Sequence, residues 1–497
     1  MPAPSDLRHT VCGQLCRYHK PGREEIPGCG GLAWLEGRDE PAPELTACLP
    51  APDVPLAGLD PEDPRLLLVC AGCDYRVGGC DFRDPEVAAA DCAPCGGLRA
   101  VAGLLAAGRD LGLADPSGAY VRLAPQVCLR HLEEPSLYDR QADELYELNE
   151  EGFAALARCR GEITLAEAGL EQEFQAYCLE EGLLRLSPAP HPVPLALGPG
   201  PRPSLRYLEL QVTWRCNLAC RHCYLGPARA VDLPVGLAAA LMREFEAMGG
   251  LRLLVSGGEP LTHPAWPEIN ALLAALPVRR VLLSNGLLLD QASLAGLNCD
   301  EVQISLDGLT PGHEALRGRG TFAAAVAAAR RVREAGLDLS VATMIHRDNL
   351  GEMAGLEELV RELGAREWGL DAPCLVGRFS QHPELAVTPR GAAGAMARAY
   401  GGAYHGGGEG MACGLHLCTV AADGRVAQCG FYLDPPLGRA AEGLWNCWAR
   451  RRPLALADLT ICGECPVAID CGGGCRFRAD DPLGPDRVMC AAMGREI

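Results

Sequence analysis

The stretch Cys216-Asn-Leu-Ala-Cys220-Arg-His-Cys223-Tyr224 decides how the rest of the chain is interpreted. It directly follows a run with the composition of a strand, at residues 207–213. Three thiolates this close together in one loop can hold three irons of a [4Fe–4S] cube and leave the fourth iron open to a ligand from outside the protein. A structural zinc site would need four closed ligands, and His222 is the residue in this loop that could supply the fourth.

The sequence after this loop alternates between strand-like and helix-like runs. The strand-like runs lie at residues 251–255, 281–284, 302–307, 339–343 and 367–370, with helical runs such as 237–248 and 322–334 between them. Strands that alternate with helices indicate an α/β fold with parallel strands, whose chemistry is found at the carboxyl ends of the strands.

The Cys-x3-Cys-x2-Cys spacing, with an aromatic residue after the last cysteine, resembles the signature of the radical S-adenosylmethionine (SAM) superfamily and favours a cluster over zinc. The resemblance implies a partial (β/α)6 barrel in which Cys216, Cys220 and Cys223 hold the catalytic [4Fe–4S] cluster. It also implies that the open iron binds the amino and carboxylate groups of SAM. One electron from the cluster would then release a 5′-deoxyadenosyl radical, which abstracts hydrogen from a substrate.

Further elements match that superfamily one by one. Gly257-Gly258-Glu259-Pro260 matches its GGEP motif, whose backbone and Glu contact the SAM amino group. The glycines permit a close backbone approach, and a carboxylate can hold an ammonium group. The remaining residues that the resemblance assigns to SAM follow in chain order: Ser284 and Asn285, then Ser305 and Asp307, then Arg317, which relatives place on the SAM carboxylate.

The last segment carries a larger cysteine pattern, Cys413-x10-Gly424-x4-Cys429, then Cys462-x2-Cys465-x5-Cys471-x3-Cys475, then Cys490. It resembles the SPASM domain, a C-terminal extension of peptide-modifying radical SAM enzymes. The resemblance implies two auxiliary [4Fe–4S] clusters, and a zinc ribbon over residues 462–475 is the alternative. Following the family pattern, Cys413, Cys429 and Cys475 bind the first cluster, and Cys462, Cys465, Cys471 and Cys490 bind the second.

Two positions of this segment need separate treatment. The first auxiliary cluster lacks one ligand of the pattern, for which Cys418 and an open iron are the two alternatives. In sulfatase-maturing relatives an Asp follows the cysteine equivalent to Cys429, whereas this chain has Gly430. This departure argues against an activity that generates formylglycine.

Residues 116–187 have the pattern of a small domain of strands and helices. The runs 120–123, 127–132 and 137–148 indicate three short strands with a hairpin turn near 140–143, and Asn149 is the expected N-cap of the first of three helices. This outline resembles the PqqD-like fold, or RiPP recognition element, where RiPPs are ribosomally made and post-translationally modified peptides.

In that family the leader of a precursor peptide adds as a strand to the exposed edge of the sheet. The residues expected to bind it here are Leu145, Tyr146, Leu148, Phe174 and Tyr177. A winged-helix module that binds nucleic acid has the same outline. The acidic character of residues 133–181 argues against that alternative.

Nine cysteines lie within the first 95 residues, and two of their groups end in Cys-Gly-Gly-Leu, at 29–32 and 95–98. One four-ligand site is expected from Cys70, Cys73, Cys80 and Cys95, with Cys92 as a substitute for Cys95. A second is expected from Cys12, Cys16 and Cys29 together with Cys48 or His19. Zinc and an additional iron–sulfur cluster are both compatible with such sets, and reduced structural cysteines are the alternative.

Composition limits the remaining possibilities. The chain has 497 residues, 26 cysteines and a formal net charge of −19, which excludes a general nucleic-acid binder. It has no apolar run long enough for a membrane-spanning helix, and its first ten residues lack the apolar core of a signal peptide. A cytoplasmic location is therefore expected. With a proline-rich linker at 187–203, four segments are predicted, 1–115, 116–187, 204–375 and 376–497.

Together these features predict a radical SAM maturase that forms a thioether or carbon–carbon cross-link in a precursor peptide. Its expected partners are that peptide with its leader and an electron donor such as flavodoxin or ferredoxin, with neither nucleic acid nor membrane. One alternative is a radical SAM enzyme acting on a small molecule such as a tetrapyrrole. The other is a non-catalytic iron–sulfur or peptide-binding protein.

Overall fold

A computed structural model describes residues 11, 29–36, 63–71, 73, 94–109, 111, 113, 116–195, 197–401 and 410–495. The chain forms two compact units, Met1–Leu197 and Gly198–Ile497. Their boundary falls inside the proline-rich run 187–203 that was expected to be a linker. Six residues expected to bind metal lie outside the described ranges: Cys12, Cys16, His19, Cys48, Cys80 and Cys92.

The described part of the first unit starts with three helices, α1 (Gly30–Glu36), α2 (Pro64–Ala71) and α3 (Gly96–Ala106). The elements that follow are β1 (Tyr120–Leu123), β2 (Val127–His131), β3 (Pro135–Asp139), β4 (Glu144–Glu147), α4 (Glu150–Arg158), β5 (Arg160–Thr164), α5 (Leu165–Ala168), α6 (Gln172–Glu180) and β6 (Leu184–Ser187). The strands form two antiparallel sheets, ordered β5-β1-β6 and β2-β3-β4.

Some of the local features predicted for residues 116–187 are present in the structure. The Asn149 side chain caps α4 by accepting the Gly152 N–H at 2.7 Å, as expected. The run 137–148 is two strands around the expected turn, because Asp139 Oδ1 accepts the N–H of Gln141 at 2.7 Å and reverses the chain. Strands β5 and β6 were not predicted, so the module has six strands rather than three.

The two N-terminal segments share one hydrophobic core. Leu35, Leu66 and Leu104 from the first three helices are buried in the same cluster as Leu156 and Leu184 of the strand-containing module. The division at residue 115 is therefore a change of sequence character inside one packed unit.

The second unit begins with the predicted alternation of strands and helices. In chain order its elements are β7 (Tyr207–Thr213), α7 (Val235–Ala247), β8 (Arg252–Gly257), α8 (Trp266–Leu273), β9 (Arg279–Ser284), α9 (Gln291–Ala295), β10 (Glu301–Ser305), α10 (Thr310–Arg317), α11 (Thr321–Glu334), β11 (Asp338–Met344), α12 (Met353–Glu362) and β12 (Glu367–Asp371). The six strands pair in parallel and in chain order, which confirms the predicted α/β architecture.

Alternation along β7 explains how the sheet is covered. Side chains of neighbouring strand residues point to opposite faces. Leu208 and Leu210 are buried in the main core with Leu241 and Phe245 of α7, so this face of the sheet packs against helices. Glu209 therefore points to the opposite face.

The C-terminal segment continues the same sheet. Its elements are α13 (Pro389–Met396), β13 (Leu417–Val420), β14 (Arg425–Ala427), β15 (Gly438–Arg439), α14 (Leu444–Trp448), α15 (Ala468–Cys471) and α16 (Arg487–Ala492). Strand β13 pairs in parallel with β7, and β14 and β15 follow antiparallel, giving a nine-stranded sheet. In the described parts of both units, the helices are too short or too polar to span a lipid bilayer.

Buried ion pairs join the amino ends of the central strands. Glu301, the first residue of β10, contacts Arg279 at 2.7 Å and Arg252 at 3.1 Å, and both arginines begin neighbouring strands. Arg279 also contacts Asp338 of β11 at 2.6 Å. Burial raises the pKa of Glu301, but the two arginines outweigh burial and hold this pKa below its usual value. The network therefore stabilises the edge of the sheet opposite to the carboxyl ends.

Replacing Glu301 by Ala is expected to lower the free energy of unfolding of the second unit by about 3–5 kcal/mol, because two buried arginines lose their carboxylate. The measurement is the urea midpoint of the full-length chain by circular dichroism. Glu362→Ala is the control, since the Glu362–Arg330 pair is exposed on both sides and contributes about 1 kcal/mol or less. Equal shifts for the two variants would contradict the assignment.

Candidate functional site

The residues expected to bind the cluster and SAM lie at the carboxyl edge of the parallel sheet. The cysteine loop follows β7, the Gly-Gly-Glu-Pro run closes β8, and Asn285 follows the last residue of β9. Ser305 is the last residue of β10, and Asp307 comes two positions later. Because parallel strands in chain order end at the same edge, the fold gathers these residues there.

Polar contacts anchor the start of the cysteine loop. Asp232 accepts from Thr213 Oγ1 at 2.6 Å and pairs with Arg215 Nε at 3.0 Å. Cys220 is buried, and Cys216 and Cys223 are half-buried. Burial raises the pKa of Cys216 to about 11, so at neutral pH this thiol must lose a proton to bind metal.

The two glycines after β8 allow that strand to touch the cysteine loop. Gly257 has φ +143°, and a Cβ there would overlap the carbonyl oxygen of Thr213. A Cβ at Gly258 would overlap the carbonyl oxygen of Arg215. The same two carbonyls accept the N–H groups of Gly258 and Glu259, both at 2.8 Å. The close approach expected from the sequence is therefore confirmed.

Glu259 is a fully buried carboxylate at the centre of this edge. It accepts hydrogen bonds from neutral groups, the Ser284 hydroxyl at 3.0 Å and the Asn285 N–H at 2.9 Å. Burial outweighs these donors and raises the pKa of Glu259 to about 7. A ligand that brings an ammonium group would supply the charge that this carboxylate needs.

Asp307 and Arg317 form a second charged group beside the cysteine loop. Arg317 Nε lies 2.5 Å from Asp307 Oδ2, and Asp307 Oδ1 accepts the Met344 N–H at 2.8 Å. Burial raises the pKa of Asp307, but Arg317 and then His222 outweigh it and hold this pKa well below its usual range. Burial raises the pKa of Cys220, and the positive charge of Arg317 offsets part of this rise. Arg317 is thus a cation close to the cysteines, where a ligand carboxylate could be held.

His222 is the residue of the loop that could have supplied a fourth zinc ligand, but its ring faces the carboxylate of Asp307. Its Nε2 faces Asp307 Oδ2 at 3.9 Å, and burial lowers its pKa to about 4. Its Nδ1 is buried, and the described residues provide it with no hydrogen-bond partner. Within the described ranges, no three His, Cys, Asp or Glu side chains are arranged to hold a single metal ion.

The donor set at this edge fits an iron–sulfur cube with an amino-acid ligand. In a cube each cysteine binds a different iron, so its ligands do not converge on one point as the ligands of a single ion do. Three cysteines stand in one loop, with a buried carboxylate on one side and a guanidinium on the other. Pro260, also buried, begins a short turn that closes the Glu259 side.

The expected ligands of the first auxiliary cluster lie near one another. Cys413, Cys429 and Cys475 each influence the charge of at least one other member of the set. The thiol of Cys374 forms a hydrogen bond with Cys475, which raises the pKa of Cys374 and lowers that of Cys475 to about 7. Cys374 lies 39 residues before the first member of the cysteine pattern, so spacing gave no reason to include it.

Cys418, the candidate that the sequence analysis named for this set, has a different environment. It lies on β13 and is fully buried in the main hydrophobic core, on the same face as Val420, near Cys447 and also near Cys429. Its neighbour Thr419 faces the other way and donates to Glu209 at 2.8 Å. Cys374, whose thiol contacts Cys475 directly, is thus a further candidate for the missing position of the set.

The cysteines expected to bind the second auxiliary cluster also lie near one another. Burial, followed by the charges of Cys462 and Cys471, raises the pKa of Cys490 to about 11, and Cys465 contributes as well. Cys490 thus lies near the three other cysteines that the resemblance assigns to the second cluster, and the assignment itself stays a prediction.

Glu209 is a carboxylate that the sequence analysis missed. It accepts from Ser256 Oγ at 2.7 Å on the inward face of β7. A Cβ at Gly430 would lie 3.1 Å from Glu209 Oε2 and 3.0 Å from Tyr224 Oη, so the position that is Asp in sulfatase-maturing relatives is closely surrounded here. The alternation Leu208-Glu209-Leu210 was the signal for an inward carboxylate.

The residues expected to bind a leader peptide lie on β4 and α6. Strand β4 is the edge of its sheet. The rings of Tyr146 and Tyr177 meet edge-on with centroids 6.3 Å apart, and Tyr177 is 42% exposed. Leu148 and Phe174 are half-buried against the core below, and Leu145 is half-buried as well.

The sequence grouped Cys29 with Cys12 and Cys16, and Cys95 with Cys70, Cys73 and Cys80. The structure places the sulfurs of Cys29 and Cys95, from different groups, 3.9 Å apart. Because Cys12, Cys16 and Cys80 lie outside the described residues, the two sites stay predictions.

Comparison with known proteins agrees with this site. Residues 210–360 match the Radical SAM superfamily. A PqqA peptide cyclase of Gluconobacter oxydans is 32% identical over 164 residues, covering 31% of this chain and 46% of that protein. The mycofactocin maturase MftC of Mycobacterium ulcerans is 33% identical, with coverages of 32% and 45%. An AdoMet-dependent heme synthase of Oleidesulfovibrio alaskensis is 30% identical, with coverages of 37% and 50%. The chain spans about half the length of these relatives.

Among solved structures, Streptococcus suis SuiB bound to S-adenosylmethionine superposes with a TM-score of 0.55 at 15% identity, covering 74% of this chain and 99% of SuiB. SuiB bound to its precursor peptide SuiA gives the same TM-score at 14% identity, with the same coverages. At these identities the likeness concerns the fold. The match of residues 210–360 to the Radical SAM superfamily indicates that the chain is an enzyme.

Proposed function

We propose that this chain is a radical SAM enzyme that modifies a ribosomally made precursor peptide by forming a thioether or carbon–carbon cross-link. The observation that carries the proposal is the open edge strand β4 with its Tyr146–Tyr177 ring contact, in a chain that also contains the cysteine loop, Glu259 and Arg317. The relatives named as a peptide cyclase and a maturase support the same substrate class.

In this proposal Cys216, Cys220 and Cys223 hold a [4Fe–4S] cluster. Glu259 binds the SAM ammonium, and Arg317 binds the SAM carboxylate while Asp307 keeps the guanidinium in place. The bound cluster and SAM supply a radical that abstracts hydrogen. The chain's own residues orient SAM, and the buried strand ends exclude water from the reacting atoms.

The C-terminal segment is proposed to be a SPASM domain with two auxiliary [4Fe–4S] clusters. Cys374, Cys413, Cys429 and Cys475 would hold one, and Cys462, Cys465, Cys471 and Cys490 the other. The proximity within each set supports this division. The clusters would accept an electron or hold a substrate thiolate, and a flavodoxin or ferredoxin would deliver electrons in the cytoplasm.

Residues 116–187 are proposed to bind the leader by strand addition to β4, as in the PqqD-like fold. The Leu148 N–H donates to Pro135 O of β3 at 2.8 Å. N–H groups alternate in direction along a strand, so Tyr146 also faces β3, and Leu145 and Glu147 direct theirs to the open edge. Tyr177 and Phe174 of α6 would contact alternate side chains of the added strand.

A second candidate function is modification of a small molecule such as a tetrapyrrole. The similarity to a heme synthase, over a comparable share of the chain, favours it. It predicts SAM cleavage that depends on a tetrapyrrole and not on any peptide, which separates the two candidates in one assay.

The function is tested by expressing the chain with the short peptides encoded beside its gene and weighing them. We expect the loss of two hydrogens from one peptide and peptide-dependent formation of 5′-deoxyadenosine. Glu259→Gln should abolish the mass loss, because the amide cannot pair with the SAM ammonium. Glu268→Gln, an exposed position on α8, is the control and should leave it unchanged. SAM cleavage that no candidate peptide stimulates would refute the proposal.

Leu145→Pro is expected to weaken leader binding by roughly tenfold or more, because proline removes an outward N–H from the edge strand and leaves the β3–β4 ladder in place. Fluorescence anisotropy of a labelled candidate peptide measures the affinity. Leu145→Ala keeps the N–H and separates the loss of the hydrogen bond from the loss of the side chain. If alanine weakens binding as much as proline, strand addition at β4 is wrong.

Cys374→Ser is expected to lower the iron content by up to about four per chain or to shift the signal of one auxiliary cluster, since it removes a thiolate ligand. Cys418→Ser is the matched control, because Cys418 lies in the apolar core. Iron analysis and electron paramagnetic resonance of the reconstituted chain give the comparison. An effect of Cys418→Ser with none for Cys374→Ser would reverse the assignment.

A further inference from the structure

Helix α6 contacts the edge strand β4 through two tyrosines. The rings of Tyr146 on β4 and Tyr177 on α6 have centroids 6.3 Å apart, and Tyr177 is 42% exposed beside the strand. A residue of an added strand that stands opposite Tyr146 points to the same face of the sheet as Tyr146. Every second side chain of a strand added to β4 is therefore directed toward α6.

Two carboxylates flank Tyr177 on the same face of α6. Glu173 lies four residues before Tyr177, and Glu180 lies three residues after it. Residues at these spacings are neighbours on the surface of a helix. Both glutamates are exposed. The side of α6 that meets β4 thus presents a tyrosine between two negative charges.

Strand β4 adds a third carboxylate on this side. Glu144 stands two positions before Tyr146, so the two side chains share one face of the strand. The Tyr146 hydroxyl donates to Glu144 Oε2 at 2.5 Å, which holds this carboxylate next to the tyrosine pair. The surface between β4 and α6 therefore combines aromatic rings with carboxylates from both elements.

Basic residues are scarce around this surface. Residues 133–181 contain 14 Asp and Glu but only three Arg and no Lys, and neither β4 nor α6 contains a basic residue. Arg158 donates to Ala168 O, and Arg160 donates to Ala157 O at 2.9 Å, so both guanidinium groups are directed to backbone carbonyls. The negative charge beside the open edge is thus suited to a partner that brings positive charge.

Apolar contact alone offers an added strand less on this side. Phe174 and Leu148 are half-buried against the core of the unit, whereas Glu173 and Glu144 are exposed. A partner strand meets the rim carboxylates and the Tyr177 ring first. Charge is therefore expected to decide which strands bind.

We propose that the peptide segment that adds to β4 is basic, with lysine or arginine at the alternate positions that face α6. The aliphatic stem of such a side chain lies against Tyr177, and its charged end reaches Glu144, Glu173 or Glu180. The tyrosine ring itself attracts a cation. An acidic strand would bring like charges together and is rejected. The inference rests on the proposed strand addition to β4 and adds the chemistry of the partner.

The test measures binding of three short fluorescein-labelled peptides to the full-length chain by fluorescence anisotropy. In these peptides valine alternates with lysine, with glutamine or with glutamate. We expect the lysine peptide to bind most tightly and the glutamate peptide most weakly. Added salt should weaken the lysine peptide severalfold and the glutamine peptide hardly at all, because exposed charges are screened by salt.

Variants locate the charge that selects the peptide. Glu173→Gln should weaken the lysine peptide by about twofold to fivefold, the contribution of one exposed ion pair, and leave the glutamine peptide unchanged. Glu162→Gln is the matched control, since Glu162 is exposed on β5 of the other sheet. A chain with both Glu173→Lys and Glu180→Lys should prefer the glutamate peptide over the lysine peptide, a reversal that a loss of folding cannot produce.

Three results would overturn the inference. These are equal affinity for the lysine and glutamate peptides, a lysine peptide whose affinity Glu173→Gln leaves unchanged, and no measurable binding of the lysine peptide. A modified peptide in the co-expression assay would show that the proposed function survives any of them. Selective binding of the lysine peptide together with SAM cleavage that no peptide stimulates would have the opposite meaning, since the basic partner would stand and peptide modification would fall.

Discussion

Two backbone hydrogen bonds hold the catalytic edge together. The carbonyls of Thr213 and Arg215, at the entrance of the cysteine loop, accept the N–H groups of Gly258 and Glu259 at the end of the next strand. This contact is possible only while both 257 and 258 are glycine, because a Cβ at either would overlap those carbonyls. The position of the three cysteines relative to the buried carboxylate thus follows from the absence of two side chains.

A buried carboxylate lies at each edge of the sheet, and the pKa values of the two carboxylates are shifted in opposite directions. At the amino edge Glu301 has two arginine partners, which outweigh the burial that would otherwise raise its pKa. At the carboxyl edge Glu259 is equally buried, but its partners are a hydroxyl and an N–H, and its pKa rises. A buried carboxylate without a charged partner is a cost that a cationic ligand can remove, which is why the proposed function places the SAM ammonium at the second edge.

Local patterns predicted the parts of the chain whose structure is local. The strands of the second unit follow from apolar runs and strand-to-helix alternation, and β7 has the predicted ends. Strand β5 was missed because Arg160-Gly-Glu-Ile-Thr164 has little apolar character, and it is held as a strand by its pairing with β1. The N-cap at Asn149 needed only its own neighbours and was found.

Contacts between cysteines that are far apart in the sequence could not be predicted in this way. Spacing identified the seven C-terminal cysteines, but neither the Cys374–Cys475 contact nor the Cys29–Cys95 contact could be found from spacing, since each joins distant residues. Each depends on tertiary structure, one on the loop after β12 and the other on two helix starts meeting through glycines.

The hydrophobic clusters of the second unit differ greatly in size. The parallel sheet buries a large continuous cluster, whereas the region around the second auxiliary set has a small one, formed by Ala412, Leu456, Leu459 and Cys462. Ile461 and Ile469 remain largely exposed there. A region with so little apolar burial has little hydrophobic stabilisation of its own. If the second auxiliary cluster of the proposed function binds here, the free energy of ligation would contribute to the folding of this region.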